Sequence, residues 1–114
     1  MPPTAKTENR PGPRRASTLR AVYKQVWPEA LRVSQAHGYA LALHGSLERD
    51  MDLVAFPWAR GASTPRALAK AIARALGGRI DPDHDPDEKL YGRKAWIIRL
   101  GGGAHLDFSV TPKG

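Results

Sequence analysis

The sequence contains no cysteine. Disulfides, a thiol nucleophile and cysteine zinc sites are therefore excluded. No apolar run approaches the ~20 residues that span a bilayer. The opening Met-Pro-Pro-Thr has no apolar stretch of the kind a secretory signal carries. The expected setting is the cytoplasm, with no membrane partner. Neither a P-loop nor a Gly-x-Ser-x-Gly elbow is present. Aromatic residues are sparse at 7%, so Trp27, Trp58 and Trp96 are expected to anchor a core rather than stack bases. Acidic residues are the minority, with 11 Asp+Glu against 18 Lys+Arg and a net charge of +7.

The 114 residues fit one domain, and a chain of this size buries roughly two thirds of its unfolded surface. The charge is unevenly spread. Lys6, Arg10, Arg14, Arg15 and Arg20 against Glu8 place +4 in residues 1–20, leaving +3 for the rest. Pro2, Pro3, Pro11 and Pro13 fall in the same stretch. With almost no large apolar side chain to offset ordering entropy, residues 1–16 are expected to form a disordered basic arm. The arm serves either as a solubilising tail or as a nucleic-acid contact that tracks phosphates. Residues 17–114 form the expected folded domain.

Ser17 is a natural helix N-cap before Leu19, Val22, Tyr23 and Val26, which recur at helical spacing. Pro28 either kinks this helix or restarts it, and Gly38 is placed to end it, with His37 at the helix end. Tyr39–His44 and Asp50–Phe56 read as strands, the second stopped by Pro57. Thr64 and Pro65 start a second helix, whose apolar face is Ala67, Leu68, Ile72, Ala75 and Leu76. Ile80–Glu88 lacks periodicity and reads as a loop. Lys94–Leu100 is a strand, Gly101–Gly103 a turn, and Ala104–Val110 alternates apolar with polar. The fold class is therefore α+β in the order α-β-β-α-β-β. A mixed or antiparallel four-stranded sheet carries two helices on one face.

Three carboxylates lie in or beside these strands. Asp50 and Asp52 are two apart and share a strand face, while Asp107 is mid-strand. Converging on one face, they offer hard oxygen ligands suited to Mg²⁺. The alternatives are a surface salt-bridged turn for Asp50 and Asp52 and an exposed hairpin position for Asp107. Gly45 and Ser46 end the preceding strand, where backbone N–H groups and a hydroxyl suit a phosphate. Arg49 and Arg93 either pair with the carboxylates or face phosphates. His44 and His105 flank the same place, which leaves a transition metal as a second option. The alternation of Asp81, Asp83, Asp85 and Asp87 suggests a calcium loop, but Pro86 and Gly92 stand where an EF-hand needs glycine and glutamate.

The run LALHGSLERDMDLVAF (Leu41 to Phe56), with the later HLDF (His105 to Phe108), resembles the nucleotidyltransferase superfamily of polymerase-beta-like fold. The resemblance implies phosphate binding by Gly45 and Ser46 and metal binding by Asp50 and Asp52. It makes Asp107 the third carboxylate, assisting the metal or acting as a base. The implied cofactor is Mg²⁺, the implied ligand a nucleotide, and the implied activity transfer of a nucleoside monophosphate to an unknown acceptor. The link from Ser46 to Asp50 is only Leu47, Glu48 and Arg49, shorter than is usual in the family. From Leu19 to Thr111 the chain is also similar to small uncharacterised phage and prophage proteins, which share the HGS-x3-DxD segment. That similarity implies a second class of function in the host cytoplasm: a non-catalytic accessory protein. Such a protein would bind nucleic acid or a host defence or replication complex, for example as an anti-defence inhibitor.

Overall fold

The computed structural model describes residues 16–44, 51–80, 87–88 and 92–112. The basic arm, the Gly45–Asp50 segment and the acidic run from Asp81 to Asp85 lie outside the described residues.

The first helix, α1 (Ala16–Ala36), is continuous through Pro28. A proline inside a helix removes one backbone hydrogen bond and normally kinks or breaks it. Here the helix neither stops nor restarts, because the same core holds both halves: Leu19, Tyr23 and Val26 before the proline, Ala30 and Val33 after it, all buried. Pro28 itself is exposed. Gly38 then ends the turn at a φ of +87°, where a Cβ would meet the Ala62 Cα at 2.9 Å.

Strands β1 (Tyr39–His44) and β2 (Met51–Pro57) pair antiparallel. Helix α2 (Pro65–Ala75) starts as its sequence predicts, with Thr64 accepting a hydrogen bond from the Ala67 N–H at 3.2 Å and Pro65 in the first turn. Strands β4 (Lys94–Gly101) and β5 (Ala104–Val110) form the expected hairpin, turned by Gly101, Gly102 and Gly103, all at positive φ. The sheet is mixed, because β5 returns parallel to β2 after the α2–β4 excursion.

Among the described residues four long strands make up this sheet, and a two-residue strand, β3 (Asp87–Glu88), extends it beyond β4 to give the order β1-β2-β5-β4-β3. The end of the stretch expected to be loop is thus strand. Edge pairing with Lys94 and Ala95 explains this, since it depends on a neighbouring strand and not on local periodicity.

One face of the sheet packs against both helices. Met51, Leu53 and Ala55 of β2, Leu106, Phe108 and Val110 of β5, and Trp96 and Ile98 of β4 are buried against Tyr23, Ala30, Leu68 and Ile72. Trp96 anchors this core, its ring centroid 6.5 Å from that of Phe108, and Trp27 packs against its margin. Trp58 corrects the expectation made for all three tryptophans. It is 71% exposed, because it follows the end of β2 and has left the sheet.

Two contacts tie the helix–strand junction together. His37 Nδ1 lies 2.8 Å from Ser63 Oγ, and the Tyr39 hydroxyl donates to the Ser63 carbonyl at 2.7 Å. Burial pushes the Tyr39 hydroxyl above the ordinary tyrosine range. The fold therefore favours the protonated phenol, and its contribution is lost as pH rises above about 10, where the unfolded chain ionises first. Tyr39→Phe is expected to cost about 1 kcal/mol at neutral pH and to flatten the alkaline limb of a urea-midpoint profile. An unchanged limb would show that Tyr39 does not set it.

Candidate functional site on the helix-free face

The even-numbered residues of β2 and the odd-numbered residues of β4 and β5 point away from the helices. The buried helix residues cluster with the opposite face; on this side Phe56 and Ile97 are 44% and 46% exposed, while Val54, Ala95 and Ser109 are buried. The sheet register sets what stands together there. Asp52 lies directly beside Asp107 in the parallel β2–β5 pair. Strand spacing puts their backbones about 4.8 Å apart. His44 is opposite Asp52 on β1, and Ile97 is opposite Asp107 on β4. A single row across four strands thus reads His44, Asp52, Asp107, Ile97.

Neighbouring contacts fix that register. The Ser109 hydroxyl donates to the Leu53 carbonyl at 3.4 Å, and the Thr111 N–H donates to the Ala55 carbonyl at 3.0 Å. At the other end of β5 the His105 N–H donates to the Tyr23 hydroxyl at 3.3 Å, tying the strand to α1. A slip of one residue would send Asp107 to the core and Phe108 to solvent, so burial of Phe108 holds the acidic pair in place.

Both carboxylates are half-buried. Like charges directly opposite each other destabilise a sheet, and this pair stands between the inner strands β2 and β5, at the end of the sheet where β1 ends and β2 begins. Among the described residues no group of three or more His, Cys, Asp or Glu is placed to hold a metal ion. Two adjacent carboxylates nonetheless fit Mg²⁺, which commonly takes one or two protein carboxylates and completes its shell with water and substrate phosphates.

The remaining sequence-predicted residues divide clearly. Gly45, Ser46, Arg49 and Asp50 belong to the undescribed link between β1 and β2, whose two ends, His44 and Met51, both lie at the Asp52 end of the sheet. Arg93 is not brought beside the pair. It precedes β4 and lies four residues from Ile97, about 13 Å along the strand. Arg99 is the cation that the register brings near instead. It faces His105 in the row next to Asp107, on the side toward the β1–β2 link, and its side chain is exposed. No local motif marks Arg99. The only signal in the sequence is strand alternation, which puts it on the face of Ile97.

Comparison with solved structures gives this arrangement a fold. Cid1 poly(U) polymerase, solved with MgGTP bound, matches with a TM-score of 0.50 at 13% identity, covering 82% of this chain. The fold is nucleotidyltransferase-like. At this identity the likeness is one of architecture alone, and the match spans 32% of that polymerase. No protein-family model and no curated protein matches the sequence. No described helix is long and apolar enough to cross a membrane.

Proposed function

We propose that this protein binds a magnesium nucleoside triphosphate at the Asp52 end of the helix-free face and transfers its nucleoside monophosphate to an acceptor hydroxyl, the α–β phosphoanhydride bond breaking and pyrophosphate leaving. The observation that carries this reading is the side-by-side register of Asp52 and Asp107 within a nucleotidyltransferase-like fold. In this reading Asp50, Asp52 and Asp107 hold the metal. Bound there, Mg²⁺ supplies charge stabilisation for the transferring phosphoryl group. Gly45 and Ser46 would offer N–H and hydroxyl donors to the phosphates, and Arg49 a guanidinium. Asp107 assists the metal in this reading, or instead accepts the proton of the acceptor hydroxyl. Arg99 supplies a further cation on the same side.

Calorimetric titration with Mg²⁺ and nucleoside triphosphates tests the proposal. Saturable binding that requires both components is expected, together with its loss in Asp52→Ala. Binding that is absent from the wild-type protein, or unchanged in Asp52→Ala, would sink it.

A further inference from the structure

The two edges of the sheet are built differently. Beyond β4 lies β3, two acidic residues long, and short charged edge strands resist pairing with other chains. The other edge is β1, and among the described residues no strand lies beyond it. Tyr39–His44 carries no Asp, Glu, Lys, Arg or proline, and its register with β2 runs without a bulge. The charges, prolines and bulges that usually protect an edge are thus absent from it. We propose that β1 pairs with β1 of a second copy of this chain, giving a twofold dimer with one continuous sheet. The proposal does not rest on nucleotide binding.

Main-chain geometry fixes the register. The Trp58 N–H donates to the Gly38 carbonyl at 3.1 Å, and across β2 the Thr111 N–H donates to the Ala55 carbonyl at 3.0 Å. Even-numbered residues of β1 and β2 therefore turn their N–H and C=O groups toward each other, while Ala55 turns toward β5. That leaves the groups of Tyr39, Leu41 and Leu43 directed at the open edge. A twofold axis through Leu41, normal to the sheet, sets Tyr39 opposite the partner's Leu43 and Leu41 opposite the partner's Leu41. Every outward N–H then meets an outward C=O, and both copies keep their helices on the same side.

Charge suits a copy of the same chain. Identical strands paired about a twofold bring like to like, which is costly where the facing side chains are charged. Here Ala40 comes opposite the partner's Ala42, and both positions are exposed and neutral. A chain of net charge +7 meets no like charge along this strip.

Exposed apolar surface gathers at the same edge. Leu43, 38% exposed, lies on β1, Phe56 pairs with Ala40, and Trp58 follows the end of β2. At roughly 150–250 Å² per aromatic side chain, Phe56 and Trp58 leave on the order of 250 Å² open. The strand, about 20 Å long in a layer about 10 Å thick, adds a similar area. Both copies together then bury about 900 Å², the range of weak, transient interfaces, so dissociation in the micromolar range is expected.

The register also gives Trp58 a neighbour. Trp58 stands opposite Gly38, Gly38 comes opposite the partner's His44, and the partner's His44 is opposite the partner's Asp52. Three strand spacings, about 14 Å, separate Trp58 from the partner's Asp52. Each copy thus places an indole at the border of the other's acidic row.

Sedimentation equilibrium of the full chain tests the proposal. Between about 1 and 200 µM the mass should rise from 12.4 kDa toward twice that value. Ala40→Lys combined with Ala42→Lys sets like charges across the junction and should weaken the dimer about tenfold or more, as should Ala40→Glu with Ala42→Glu. An equal mixture of the two should dimerise again. Both alanines are exposed, so melting temperatures at low concentration should stay close to wild type. With no natural cysteine present, crosslinking reads the register: Ala40→Cys mixed with Ala42→Cys should form a disulfide-linked pair, and neither variant alone should do so efficiently. A chain that stays monomeric at about 200 µM would overturn the proposal, whether or not its edge accepts an extended peptide from another protein. So would a dimer undisturbed by either charged pair, or efficient crosslinking of Ala40→Cys with itself.

Discussion

Phe108→Ala is expected to destabilise the protein by about 3–5 kcal/mol, the cost of removing a buried aromatic side chain and leaving a cavity. Phe108 is fully buried on β5, between β2 and β4, with Trp96 tilted against it at 32°. Loss of that ring contact adds to the loss of burial, because aromatic pairs contribute about 0.5–1.5 kcal/mol beyond their area. For a domain near 100 residues each kcal/mol moves the melting temperature by about 4–8 °C, so a fall of at least 12 °C is expected. Ile97→Ala is the control. Ile97 is large, apolar and on the adjacent strand, yet it is 46% exposed on the helix-free face, and its truncation should cost under about 1 kcal/mol. Urea midpoints for the two variants measure the difference. Equal losses would mean that both faces of the sheet are covered.

That contrast between faces was legible in the sequence wherever a local period carried it. The alternation of Ala104–Val110 assigned Leu106 and Phe108 inward and Asp107 outward, as observed. Thr64 with Pro65 marked the start of α2, and Gly38 marked the end of α1, because caps are short-range chemistry. The continuity of α1 was less legible. Local rules for Pro28 admit a kink or a restart, and the choice is made by distant residues packing against both halves of the helix.

The site divides in the same manner. Its residue types and spacing are local, and they singled out Asp52 and Asp107. Which strand lies beside which is not local. The parallel β2–β5 register that sets Asp52 next to Asp107 arises from the whole α2–β4 excursion. It also explains why Arg99 and not Arg93 comes near the pair, since that depends on counting along β4 from a partner that the sequence does not name. Trp58 shows the converse. Its type favours a core, but its position beyond the end of β2 leaves no surface for it to pack against.

Asp107→Asn separates the structural cost of the acidic pair from its use. The substitution keeps the side-chain shape and removes one charge from a row in which two carboxylates stand side by side. In the absence of metal the variant should be as stable as wild type or more stable by up to about 1 kcal/mol, the usual range for a cross-strand pair. With Mg²⁺ and a nucleoside triphosphate at a hundredfold excess over the dissociation constant, the wild-type protein should gain about 2.7 kcal/mol. That corresponds to a rise in melting temperature of roughly 10 °C or more for a domain of this size. The variant should lose most of this gain while keeping its metal-free stability. Thermal unfolding with and without Mg²⁺ and nucleotide, in both proteins, gives all four numbers. An equal ligand-dependent rise in the two proteins would remove Asp107 from the metal site. A metal-free loss well above 1 kcal/mol would make its carboxylate a structural acceptor instead. The combination of higher metal-free stability and lost ligand response is what a functional carboxylate pair predicts, because a protein keeps a destabilising arrangement of charge where a bound cation offsets it.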